Sequence, residues 1–481
     1  MVSTPRPAVT ESAAQLVEEW DHGLTSTDPL AFSGYQPPAA SEEPVRTGVA
    51  LLAGKPAALI QCRFEFQGGT MGAVAGERIV RAFGRATDLR LPVVAYVSSG
   101  GARLQEGMIA LIQMARTASA VAAHGRAGLV YAAVLRGPTT GGVYASWASL
   151  ADLRAAEPEA VIGFGGPRVV AEMTGQWPPA DSHTAESAYR HGLVDALAGP
   201  EAQEAWLAAA AGHAPGEPLA LPPGRPALSP CRSPSLFAAQ SADAYAVLLR
   251  ARAADRPSGL EWAAALTSDW VELHGSDPVV RAALARVAGQ RTVVIAMDRH
   301  ARGDAAAKPG PHAYRLAQRA LRLADRLGLP VLTLIDTPGA DPSPASEAAG
   351  LAAEIAGTLL AMAELSGPSV ALCVGEGGSG GAMALAHADR LLMLDGAVFS
   401  VIGPEPGAAV LYRDSSRAPA LARAFRMTAP ELLRLSVVDE SVPETVAAVR
   451  RWVAQALNDA RPGDRHDREA RATAAALHCG G

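Results

Sequence analysis

Four cysteines in 481 residues, Cys62, Cys231, Cys373 and Cys479, stand far apart and form no CxxC pair, which argues against a zinc ribbon or finger. Scattered single thiols fit a reducing cytoplasm, the expected location. No apolar run approaches the roughly 18 residues that a membrane helix needs. Residues 1–21, with Pro5, Pro7, Glu11, Glu18 and Glu19, lack the basic-then-apolar order of a signal peptide. There is no excess of positive charge, and a net charge of −6 implies neither nucleic acid nor an anionic membrane as partner. The absence of GxxxxGK[ST] removes a GTPase reading of Asp336-Thr337-Pro338-Gly339. Ser98, Ser99, Ser146 and Ser379 have no sequence-defined His/Asp partners, which argues against an α/β-hydrolase. His300, His312 and His387 stand singly, and Gly163-Phe164-Gly165-Gly166 is an incomplete nucleotide fingerprint, read as a loop.

What is present is glycine in organised clusters. The apolar strand Leu91–Val97 runs into Ser98-Ser99-Gly100-Gly101-Ala102-Arg103-Leu104-Gln105-Glu106-Gly107. A strand that ends in paired glycines and enters a helix puts backbone N–H groups at the carboxyl edge of a sheet, where an oxyanion can be held. The later strand Leu329–Ile335 likewise runs into Asp336-Thr337-Pro338-Gly339-Ala340. A second cluster follows each, Gly137-Pro138-Thr139-Thr140-Gly141-Gly142 and Gly375-Glu376-Gly377-Gly378-Ser379-Gly380-Gly381. Gly101 and Gly141 are 40 residues apart, Gly339 and Gly380 are 41 apart. Val161-Ile162-Gly163 is echoed by Val401-Ile402-Gly403, 22 and 23 residues beyond Gly141 and Gly380. Matched offsets in one order predict two copies of one architecture.

The chain is longer than one core supports, so two domains are expected. Residues 1–45 are an N-terminal helical lead-in, with a short helix over 12–22. A strand pair at 49–53 and 57–62, a helix over 75–87, strand 91–97, a helix over 106–123 and strand 128–135 make residues 46–212 an α/β domain with a parallel sheet. Seven prolines from Pro215 to Pro234 mark residues 213–235 as a linker. Residues 236–460 form a second α/β domain, opening with a helix over 236–254 and including strand 293–297 and a helix over 314–327. Residues 461–481 read as a flexible tail.

Two amides aimed at one oxygen stabilise a developing enolate, and loss of one donor costs about 3 kcal/mol of barrier. Tight turns and helix–sheet packing explain any single glycine pair; two pairs in matched order point to two oxyanion holes. Glu65, Glu106, Glu157 and Glu376 could carry a proton, but Glu106 at a helix start serves equally as a dipole partner.

Phe64–Gly72, Ser99–Gly107, Gly137–Val143 and Ala156–Arg168 closely resemble the β subunit of bacterial acetyl-CoA carboxylase carboxyltransferase. Leu273–Asp277, Ile335–Ala340, Gly375–Ala382 and Val401–Glu405 resemble its α subunit. The chain is thus similar to a β–α fusion over residues 45–457, and the resemblance implies two duplicated crotonase-like (ClpP/crotonase) α/β domains. It further implies an acyl-CoA carboxyltransferase that moves carboxyl between carboxybiotin on a carrier protein and the α-carbon of an acyl-CoA, as in fatty acid or polyketide biosynthesis. Gly101, Ala102, Gly141 and Gly142 would form the acyl-thioester oxyanion hole, and Gly339, Ala340, Gly380 and Gly381 the biotin oxyanion hole. In family chemistry the biotin anion itself removes the α-proton, so no side-chain base is required. Biotin carboxylase, biotin carboxyl carrier protein and acyl-CoA or acyl carrier protein are the implied partners, in a homodimer or higher homo-oligomer.

Departures from the family are the missing four-cysteine zinc ribbon, so that no zinc is expected, Gly403-Pro404-Glu405-Pro406-Gly407 in place of Ser-Pro-Glu-Gly, and the lack of a Met-Lys-Met biotinylation motif. They keep open a biotin-independent decarboxylase of malonyl-type CoA or carrier-protein thioesters, which would use only the first hole. A non-catalytic scaffold is the third alternative, disfavoured by intact glycines in both halves.

Overall fold

The computed structural model describes residues 15–28, 30–228, 243–303 and 306–474. It divides into two compact units, residues 1–216 and 217–481. In the first, an eight-stranded sheet has the order β1 (Leu16–Trp20), β2 (Val45–Leu52), β3 (Lys55–Cys62), β4 (Val93–Ser99), β5 (Tyr131–Thr140), β6 (Leu153–Ala156), then β8 (Ala196–Leu197), with β7 (Ile162–Gly163) also pairing β5. β1 to β3 are antiparallel, and from β3 onward every pairing is parallel. β4 is buried along its whole length, as a central parallel strand covered on both faces must be.

The second unit repeats this topology with β9 (Thr267–Leu273), β10 (Val280–Val287), β11 (Gln290–Met297), β12 (Val331–Thr337), β13 (Ser369–Gly378), β14 (Arg390–Leu394) and β16 (Glu440–Val442) in order, and β15 (Val398–Ser400) pairing β13. The fold is a duplicated crotonase-like α/β architecture. Helices Ala73–Asp88 and Pro311–Leu327 occupy equivalent places, each between the third and fourth strand of its sheet. Each bears a buried apolar stripe, Ile79, Ala82, Phe83 and Ala86 in one and Leu316, Ala317, Ala320, Leu321 and Ala324 in the other.

Several expectations are corrected. The helix expected over 12–22 is, over its described part, the edge strand β1, paired antiparallel with β2. A helix this short is marginal alone. The open edge of β2 instead satisfies its backbone groups, and the salt bridge from Arg46 to Glu19 at 2.7 Å and burial of Trp20 fix the register. Of the flexible tail at 461–481, residues Asp464–Ala474 are a docked helix, while 475–481 lie outside the described residues. Two of its three arginines are buried against carboxylates, Arg465 at 3.3 Å from Asp389 and Arg468 at 2.9 Å from Asp439, while Arg471 is exposed. The proline-rich stretch is held over its described part, because Arg225 pairs with Glu261 and with Asp298 at 2.8 Å; residues 229–235 lie outside the described residues. The helix expected over 236–254 spans Ala244–Ala251, with residues 236–242 again outside.

Candidate active site

In the first unit, β4 and β5 end side by side, and the loops that leave them meet. A Cβ placed on Gly141 would stand 2.9 Å from Gly101 Cα, and one on Gly101 would stand 3.3 Å from the Gly142 nitrogen. Both glycines hold positive φ, +112° at Gly101 and +60° at Gly141, a region where a side chain is strained. Gly101, Ala102, Gly141 and Gly142 are therefore brought together.

Their amides are not equivalent. Gly101 N–H donates to Ser99 Oγ at 3.0 Å, and Gly141 N–H donates to the Phe164 carbonyl at 2.9 Å. Ala102 sits between two ladder bonds to Met71, from Met71 N–H to the Gly101 carbonyl at 2.8 Å and from Arg103 N–H to the Met71 carbonyl at 3.0 Å. In a parallel ladder this turns the amide of the intervening residue to the opposite side. Gly142 is the second residue of helix Gly141–Tyr144, a position without an intrahelical acceptor. Ala102 and Gly142 thus supply the two uncommitted donors of the four.

The second unit repeats the arrangement at a constant offset of 238 residues: Ser99 with Thr337, Gly101 with Gly339, Ala102 with Ala340, and Gly142 with Gly380. Gly339 has φ +137° and donates its amide to Thr337 Oγ1 at 3.2 Å, as Gly101 does to Ser99. A Cβ on Gly381 would stand 2.6 Å from the Ala340 nitrogen, whereas one on Gly380 would meet nothing within 4 Å. Gly380 is the second residue of helix Ser379–Ala386, as Gly142 is of its helix. Gly339, Ala340, Gly380 and Gly381 converge too, with Ala340 and Gly380 as the counterparts of the uncommitted pair.

The common offset corrects the spacing in the sequence. Gly141, φ +60°, corresponds to Ser379, φ +57°, and not to Gly380. By strand register rather than by that offset, the partner of Gly163 in the third echo is Ser400, since Gly163 pairs Thr140 and Ser400 pairs Gly378. The sequence signal for Ser379 was hidden because a serine at positive φ is uncommon and the eye aligns glycine with glycine.

Three of the four carboxylates considered as proton carriers, Glu106, Glu157 and Glu376, are engaged elsewhere, and Glu65 is exposed. Glu106 accepts the Ala73 amide at 2.6 Å, capping helix Ala73–Asp88, and takes Arg103 at 2.9 Å and the Tyr35 hydroxyl at 3.0 Å. A Cβ on Gly72 would collide with it at 2.4 Å. Arg103 also forks onto Glu43, both contacts at 3.1 Å, a pair composition could not foreshadow. Glu376 is clamped by Arg252 at 2.6 and 2.8 Å, and Arg252 reaches Glu405 at 2.8 Å. Glu157 accepts from Gln203 at 3.2 Å. Asp336, buried at the end of β12, accepts the Glu376 amide at 3.2 Å and lies 3.5 Å from Arg299. Burial pushes its carboxyl up to about 7 against the pull of Arg299.

The family described as acetyl co-enzyme A carboxylase carboxyltransferase-like matches residues 238–462. An acetyl-coenzyme A carboxylase carboxyl transferase subunits beta/alpha protein of Salinispora arenicola is 44% identical over 430 residues, covering 84% of this chain and 74% of the relative. The chain belongs to this beta/alpha carboxyltransferase family. A probable biotin-dependent acyl-coenzyme A carboxylase beta3 subunit of Mycobacterium bovis is 38% identical over 409 residues, covering 84% of this carboxyltransferase and 80% of the relative. Transcarboxylase 12S, a hexamer solved with methylmalonyl-coenzyme A bound, shares the fold at TM-score 0.71 and 21% identity, over 87% of this chain and 82% of its own. The chain is an enzyme, an acyl-CoA carboxyltransferase. No described helix is long and apolar enough to cross a membrane.

Proposed function

We propose that this carboxyltransferase moves a carboxyl group between biotin, presented on a separate carrier protein charged by a biotin carboxylase, and the α-carbon of an acyl-CoA such as acetyl-CoA. The first unit takes the acyl-CoA. Enolisation puts negative charge on the thioester oxygen, and the Ala102 and Gly142 amides are placed to receive it. Gly101 and Gly141 serve as the close-packed backbone that aims those donors, each spending its own amide on the protein. In the second unit Ala340 and Gly380 are the donors for the ureido oxygen of biotin, with Gly339 and Gly381 as their supports.

Biotin, a substrate delivered from outside, supplies the transferable carboxyl group. The residues fit it: two amides and open space beside Gly380. With Glu106 and Glu376 both held in ion pairs, neither is available as a base, which agrees with proton removal by the substrate itself. The observation that carries this reading is the repetition of one amide pair at a 238-residue offset. Following the related hexamer, assembly into a homo-oligomer is part of the proposal.

Incubation with malonyl-CoA, with and without free biotin, and detection of acetyl-CoA by mass spectrometry tests the function. Acetyl-CoA formed only when biotin is present is the expected result. Equal formation without biotin would replace transfer by biotin-independent decarboxylation.

A further inference from the structure

The two sites share a backbone but exchange their side chains at one pair of positions. In the first unit helix Ala73–Asp88 carries Gly76, and the helix that starts at Gly141 carries Val143 as its third residue. At the same 238-residue offset the second unit has Tyr314 and Gly381. Large and small have changed places. Val143 is buried in the first core, and its packing anchors the helix start that presents Gly142. The space a side chain at Gly76 would need is filled by Gln113, whose Cγ lies 2.5 Å from where a Cβ would stand.

The second unit has no such anchor. Both helices carry two successive glycines in their first turn, Gly141-Gly142 and Gly380-Gly381, which have the most backbone entropy to lose, but only the first pair is followed by a bulky side chain, Val143. In the second unit the side chain that compensates comes from another helix. Tyr314 is fully buried, and its hydroxyl donates to the Gly381 carbonyl at 3.0 Å. A Cβ at Gly381 would stand 2.8 Å from that hydroxyl and 2.6 Å from the Ala340 nitrogen, so the phenol, the Gly381 backbone and the Ala340 amide share one small volume.

We propose that Tyr314 is a positioning residue of the second site, its hydroxyl fixing the start of helix Ser379–Ala386 so that the Gly380 amide stays aligned with that of Ala340. This rests on the assignment of the second site to biotin. It makes a phenol hydrogen bond do in one half what valine packing does in the other.

Tyr314→Phe removes only the hydroxyl and keeps the buried ring. Two measurements on the full chain decide the matter. In hydrogen–deuterium exchange the amides of residues 379–386 should exchange about fivefold faster or more than in wild type, with the rest of the chain unchanged. In carboxyl transfer from malonyl-CoA to free biotin, kcat should fall about tenfold while the KM for malonyl-CoA stays at the wild-type value, in a protein whose melting curve shows it fully folded at the assay temperature, since a smaller folded fraction would also lower kcat alone. Unchanged exchange over 379–386, or a wild-type kcat, would overturn the proposal. If wild type transfers nothing to biotin, the functional assignment fails, and the exchange measurement still decides whether Tyr314 orders the helix start.

Discussion

A guanidinium at 1% exposure is tolerable only when its donors are matched by acceptors. Arg103, directly after Ala102, meets this condition through Glu43, Glu106 and the Thr70 carbonyl at 3.1 Å. Removing Glu43 takes away the forked acceptor while Glu106 still balances the charge, so Glu43→Ala should destabilise the protein by about 1–3 kcal/mol, measured by chemical denaturation. Asp336 gives a pH signature. Its carboxyl is raised to about 7 in the folded protein, against about 3.9 unfolded, so the folded state holds the extra proton between those values. Its contribution to stability is present below about pH 4 and is lost as pH rises through 7. Asp336→Asn removes that loss, and the variant's melting temperature should gain on wild type between pH 5 and pH 8. A constant difference across that range would contradict the assignment. Neither residue's environment was legible in the sequence, because Glu43 and Thr70 beside Arg103 and the burial of Asp336 come from segments distant along the chain.

Among the elements, the helix Asp464–Ala474 shows what tertiary structure adds. Its composition is charged, and nothing in its sequence separates a solvated tail from a docked one. What docks it is the burial of Asp389, which accepts the amides of Ser369 at 2.9 Å and Gly463 at 2.8 Å and faces Arg465. Arg468→Ala, which would leave Asp439 without its 2.9 Å partner, should cost about 3 kcal/mol or more and raise proteolytic cleavage within 464–474. Strands β2 to β5, β11 and β12 were legible as apolar runs, continuous where a parallel strand is buried on both faces, whereas β9, β10, β13 and β14 were not read from the sequence. β1 was not, since its sequence, Leu-Val-Glu-Glu-Trp, suits a helix as well as a strand and the edge of β2 decides between them. Ser379 shows the same limit at the site: its residue type conceals a left-handed position that Gly141 declares openly.

In the whole molecule, on the proposed function, two copies of one fold each present a pair of amides to an oxygen, one on each substrate. Duplication was visible in the order of the glycine clusters. The division of labour within each cluster was not, because it depends on which amides the protein itself consumes. Gly380→Ala tests the claim most directly. A Cβ there meets no protein atom within 4 Å, and alanine in place of a helical glycine should stabilise the chain by about 0.5–1 kcal/mol. If the open space is where the biotin oxygen sits, carboxyl transfer from malonyl-CoA to free biotin should fall at least about tenfold, roughly 1.4 kcal/mol of barrier, in a protein that melts no lower than wild type. Transfer at the wild-type rate in that variant would contradict the account.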